Sequence, residues 1–263
     1  MRKCLAFLKR DFLIETSYRF NFLLSLAGLL FSVTIFYFLG KMVDPSMVRG
    51  SADDYFSFAL VGMALALFLR TGLGSFAESL REEQMAGTLE AVMSTPTSLV
   101  TVVLSSSLWR FTFTSLAALA FLGTGALFGV SYAGANWGAA LLIFALTVAA
   151  FSSLGIISAS FIVTFKRGDP VNWLVSSLSV LLGGVFYPVT VLPAWLRPLS
   201  KALPITWSLE GLRAALLRGA GLHELRGKMA VLAIITITLL PLSLALFRLA
   251  VNHARKTGTL SKY

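Results

Sequence analysis

Long apolar runs broken by short charged segments dominate the chain, and six of the runs reach bilayer length. A helix needs about 20 mostly apolar residues to cross a hydrocarbon core roughly 30 Å thick. The stretches Phe20 to Gly40, Phe56 to Phe76, Phe111 to Val130, Ala139 to Phe165, Val171 to Val191 and Met229 to Ala250 satisfy this. The ten-residue alternating segments that mark a membrane barrel do not occur, so the pattern predicts an all-α membrane protein with six transmembrane helices. Composition agrees. Of 263 residues, 57% are hydrophobic and 13% charged, too little polar surface for a soluble globule of that size. The whole chain, residues 1–263, reads as a single transmembrane domain.

What lies between the runs sets the orientation. Met1 to Arg19 carries Arg2, Lys3, Lys9, Arg10 and Arg19 among Leu5, Leu8 and Phe12 at helical spacing, which predicts an amphipathic helix on anionic headgroups. The basic region is too long, and the following apolar run too span-like, for a cleaved signal peptide. Lys and Arg in the loops favour both termini in the cytoplasm, although the outer segment 193–228 is more basic than that rule prefers. Arg70 and Arg110 fall near the inner ends of the second and third spans, where interfacial anchoring of their stems accounts for them. The six runs hold no Asp, Glu, His or Lys, so the groups that proton-coupled carriers and intramembrane proteases need at depth are missing. No Gly-x4-Gly-Lys-Ser/Thr stretch is present either, so energy for any transport has to come from another chain.

Small and polar residues mark close approaches. Gly125 and Gly129 form a Gly-x3-Gly and Gly155 and Ala159 a small-x3-small, with Ser152, Ser153, Ser158 and Ser160 in the same run. Two readings stand: packing within the chain, or a dimer seam or serine-lined path. Asp169 and Pro170 predict a capped helix start after a tight inner turn. Segment 193–228 is too apolar for a free loop and too broken by Pro193, Pro198 and Pro204 for one span, which predicts two short helices dipping into the outer leaflet. Cys4 is alone and His223 and His253 fall on opposite sides, so no disulfide or metal site is expected. The net charge of +10 sits beside spans, and anionic lipid explains it better than nucleic acid.

The segment Glu78 to Pro96 holds four of the chain's twelve acids: Glu78, Glu82, Glu83 and Glu90. Its composition predicts a helix interrupted at Gly87 and restarted by Thr88, with Leu89, Val92 and Met93 on one face. Residues 83–90, Glu-Gln-Met-Ala-Gly-Thr-Leu-Glu, followed by Thr95-Pro96, resemble the first cytoplasmic loop of the type-2 ATP-binding cassette (ABC) transporter permeases. There the pattern is an acid, three residues, Gly-Thr-Leu-Glu and then Pro, and the loop is the coupling helix that enters the ATPase subunit. The outer segment resembles the family's paired re-entrant helices more loosely, with Trp207 at the aromatic position before Glu210-Gly211-Leu212-Arg213.

The resemblance implies the membrane subunit of an ABC exporter, multi-pass in the cell membrane, coupled to a separate ATPase subunit. Two permease copies, identical or different, would form the path. No cofactor is expected in this chain, ATP and Mg being bound by the partner. The docking residues it implies are Glu82, Glu83, Gly87, Thr88, Leu89 and Glu90. A hydrophobic or amphipathic cargo (drug, antibiotic, lipid or lipid-linked glycan) is the expected class. The alternative from another class is an energy-independent channel or a structural assembly protein.

Overall fold

The computed structural model describes residues 19–42, 55–85, 99–165 and 169–256, and every regular element among them is helical. In chain order these are α1 (Arg19–Met42), α2 (Tyr55–Met85), α3 (Leu99–Leu127), α4 (Trp137–Phe165), α5 (Pro170–Leu182), α6 (Arg197–Ala202), α7 (Pro204–Arg218) and α8 (Leu222–Lys256). A single 3-10 turn, Val189–Val191, stands between α5 and α6. Four of these helices are long and apolar enough to cross a membrane: α2 over Tyr55–Ser79, α3 over Ser107–Leu127, α4 over its full length and α8 over Leu222–Ala254. In α1 the apolar stretch with described side chains is Leu30–Lys41. The predicted interface helix before it lies outside the described residues.

The fifth expected span departs from the sequence reading. It does not run from Val171 to Val191 as one helix; α5 stops at Leu182 after 13 residues, about 20 Å at 1.5 Å per residue and short of a bilayer core. Its start is as expected, with Pro170 in the first turn and the Asp169 carboxylate accepting the Asn172 N–H at 2.9 Å. Its end is set by Gly183 and Gly184, the latter at φ +81, a left-handed conformation that glycine adopts without strain. Pro188 then denies the chain an N–H with which to resume. In the segment expected to hold two short helices the chain forms α6 and α7, and α7 packs into the bundle. Ile205, Thr206, Ser208, Leu209, Leu212 and Arg213 are all buried in it.

Helix α2 is the centre of the bundle. Apart from a few positions such as Arg70 and Glu78, it is buried or nearly so from Phe56 to Ser79. It crosses α4 at glycine: a Cβ on Gly155 would stand 1.9 Å from the Gly72 carbonyl oxygen, and one on Gly72 would stand 2.6 Å from the Phe151 Cβ. Such contact lets two backbones touch where lipid supplies no hydrophobic drive. Gly125 seats Leu60 in the same way on the α3 side, while Gly129 contacts nothing, so only half of the Gly-x3-Gly packs. Three of the α4 serines have partners within the chain. Ser153 and Ser160 bond carbonyls of their own helix, and Ser158 donates to Asp169.

Pairings along the helices fix their directions. Phe68 meets Phe144 and Gly72 meets Gly155, so α2 and α4 run parallel. Thr236 donates to the Leu146 carbonyl, and Phe247 and Val251 cluster with Ile156 and Val163, so α8 runs parallel to both. Helix α3 runs against α2, with Arg110 beside Glu78 at one end and Gly125 beside Leu60 at the other. Outward, Phe31 and Phe38 of α1, Leu116 and Leu119 of α3, Leu141 of α4, Trp173 of α5 and Ile234 and Ile237 of α8 are exposed. An apolar girdle of this extent belongs in lipid or against another membrane surface.

Candidate functional site

The bundle has two polar ends, about 30 Å apart along α2, the rise of the 20 residues from Phe58 to Glu78. At the Glu78 end, α2 does not stop at the bilayer. The helix continues to Met85, so Glu78 and Glu82 stand on its last turns. One turn apart, they sit on the same stripe. Arg110 of α3 answers both, with one Nη 2.7 Å from Glu78 Oε2 and the other 2.5 Å from Glu82 Oε1. The sequence reading of Arg110 as an interfacial anchor is therefore corrected: its guanidinium bridges two carboxylates across two helices. Both acids are more than half exposed, so each pair contributes only about 0–1 kcal/mol to stability. Its effect is on position, because a guanidinium held by two carboxylates fixes the α2 end against α3.

Of the expected docking residues, Glu82 is thus occupied by Arg110, and Glu83 lies in the last turn of α2 with its side chain outside the described residues. Gly87, Thr88, Leu89 and Glu90 also lie outside the described residues. Glu82, one of the two acids that Arg110 holds, stands five positions before Gly87 in the chain.

The other end is organised by a residue whose role sequence reasoning did not foresee. Arg213 of α7 is 8% exposed, and three of its N–H groups go to backbone: Nε to the Phe58 carbonyl at 3.1 Å, Nη1 to Gly184 at 2.7 Å and Nη2 to Val185 at 2.8 Å. Its guanidinium lies 3.3 Å from the centroid of the Phe58 ring, a cation over an aromatic face. The carbonyls of Gly184 and Val185 belong to the break after α5, where no helix supplies them with partners. A Cβ on Gly62 would come 2.1 Å from the Val185 oxygen, so glycine there lets the broken chain lie against α2. The signals in the sequence were its place in Glu210-Gly211-Leu212-Arg213 and a segment with too many positive charges for its side.

A match to the ABC-2 type transporter family model spans residues 2–217, well over half of the chain. The chain belongs to the ABC-2 type transporter family. Among curated proteins it is similar to the inner membrane transport permease YadH of Escherichia coli K12, 23% identical over 186 residues covering 69% of this chain and 71% of YadH. It is also similar to nodulation protein J of Rhizobium meliloti strain 1021, 25% identical over 202 residues, and of Sinorhizobium fredii NGR234, 27% identical over 193 residues. These alignments cover 70% and 72% of this chain and 76% and 72% of those proteins. This ABC-2 chain is accordingly a multi-pass membrane component of a transporter, and its four long apolar helices fit that membership.

Proposed function

We propose that this chain is the permease half of an exporter whose energy comes from a separate ABC ATPase, with ATP and Mg bound there. The observation that carries the reading is the continuity of α2. The most buried of the four long apolar helices leads on into residues 86–96, with its last described turns held to α3 by Arg110. A push on that segment reaches, through one rigid rod, the Gly72–Gly155 crossing and then the Phe58 carbonyl that binds Arg213. A packed interior of this kind passes displacement along instead of absorbing it. In this reading Leu89 is an apolar anchor in the ATPase, Glu83 and Glu90 meet its rim, and Gly87 and Thr88 set the bend. Two permease copies enclose the path, the termini face the cytoplasm of an inner or plasma membrane, and the cargo is hydrophobic or amphipathic.

The test is co-isolation. The tagged chain, produced with its cognate ATPase subunit, should bring that subunit down, and Leu89→Asp should abolish this while the variant still inserts, because a charge forced into a dry apolar pocket costs several kcal/mol. Arg110→Glu should keep assembly and lose transport-coupled hydrolysis, with recovery when Glu78→Lys and Glu82→Lys are added. Normal binding and transport by Leu89→Asp, or nucleotide-independent transport by the purified chain, would overturn the reading and favour a passive channel.

A further inference from the structure

A cavity of about 230 Å³ opens beside Arg213, where the break after α5, the start of α2, α7 and the start of α8 meet. It has room for several waters or a phosphate group. Its walls divide by chemistry. Phe58, Pro188, Val189 and Leu217 form an apolar side, while Arg213, Arg218 and Lys228 bring three positive charges against the single negative charge of Glu210.

Arg213 spends three of its five N–H groups on the carbonyls of Phe58, Gly184 and Val185. Those carbonyls are neutral, so the charge of this buried guanidinium stays uncompensated by them, a costly condition that an anion relieves. Lys228 makes no hydrogen bond or ion pair among the described residues. A guanidinium with spare donors beside an ammonium is a donor set suited to phosphate oxygens. Depth agrees as well. The cavity sits about 30 Å along α2 from the Arg110 bridge, hence at the opposite bilayer face, where headgroups lie.

We infer that this cavity is a binding site for the phosphate of a phosphate-bearing amphiphile, with the apolar wall receiving the first atoms beyond the headgroup. This goes beyond the proposed transport reading and holds whichever compound is moved. The phosphate of a lipid and free phosphate share the chemistry, and the test separates them.

The full-length chain in neutral detergent is titrated with dihexanoylphosphatidic acid, with dihexanoylglycerol, which is the same molecule without phosphate, and with inorganic phosphate. Binding is followed by native mass spectrometry and by the shift in thermal unfolding. Phosphatidic acid should bind saturably and dihexanoylglycerol should not. Weaker binding of inorganic phosphate identifies a lipid headgroup site; equal binding identifies free phosphate as the occupant. Two substitutions that spare Arg213 should act in opposite directions: Lys228→Glu lowers affinity about tenfold or more, and Glu210→Gln raises it a few fold. Dihexanoylglycerol binding as tightly as phosphatidic acid, no binding of either phosphate probe, or unchanged affinity in both variants would each overturn the assignment.

Discussion

Replacing Gly155 by alanine tests the bundle at its tightest point. The new Cβ would stand 1.9 Å from the Gly72 carbonyl oxygen, 2.9 Å from Phe76 Cδ2 and 3.0 Å from the Gly72 carbonyl carbon. Ordinary van der Waals contact needs about 3.4 Å, so α2 and α4 must separate by about 1.5 Å along that line. Two of the three atoms are backbone, and no rotamer change can relieve them. Overpacking of this kind costs about 1–3 kcal/mol, and the separation also loosens the Phe151 and Phe68–Phe144 contacts on either side. Gly123→Ala on α3 is the control: its Cβ meets nothing within 4 Å, and alanine in a helix interior is favoured over glycine by about 0.5–1 kcal/mol. The two variants, purified in the same detergent and unfolded by heat or by added denaturing detergent, should therefore shift in opposite directions from wild type and differ from each other by about 1.5–4 kcal/mol. Gly155→Ala as stable as Gly123→Ala would refute the glycine crossing and, with it, α2 as the rigid centre.

Arg213→Met should be the more disruptive change at the other end, since it leaves the carbonyls of Phe58, Gly184 and Val185 without donors, at about 1–3 kcal/mol for each one buried. Part of this is offset by no longer burying a charge, so the expected order of stability is wild type, then Arg213→Lys, then Arg213→Met; equal stability of all three would show that the carbonyls do not depend on Arg213. Thr147 and Ser208 join α4 to α7 through hydroxyls 2.7 Å apart, and the cycle Thr147→Val, Ser208→Ala and both together should give a coupling of about 0.5–1.5 kcal/mol, whereas strict additivity would deny the bond.

Much of this architecture could be read from residues because it depends on local chemistry. Span-length apolar runs gave α2, α3, α4 and α8, and Asp169 with Pro170 marked the start of α5, since capping involves neighbours in sequence. The end of α5 was hidden for a physical reason. Gly183, Gly184, Val185 and Phe186 continue the apolar run, and hydropathy does not register a change in backbone direction. The role of Arg213 was missed because its partners are carbonyls, which every residue carries and which leave no trace in the sequence. Arg110 was given the wrong role because its carboxylates lie 28 and 32 positions away, a distance that only the antiparallel packing of α2 and α3 closes. Its own surroundings, Trp109 and a span boundary, fit an anchor equally well.

The half-length α5 has a consequence for how the chain meets membranes of different thickness. Continuous helices answer hydrophobic mismatch by tilting, but α2 and α4 are pinned to each other by glycine contact, and a tilt in one must be matched by the other. Between α5 and α7 the chain is instead broken, turning at residues 183–188 and passing through the short α6 before α7 starts at Pro204. This joint is the compliant part of an otherwise stiff body, so a bilayer a few ångströms thicker or thinner is accommodated there first. Because Arg213 ties that joint to the Phe58 end of α2, the thickness of the surrounding bilayer becomes a mechanical input to the central helix itself.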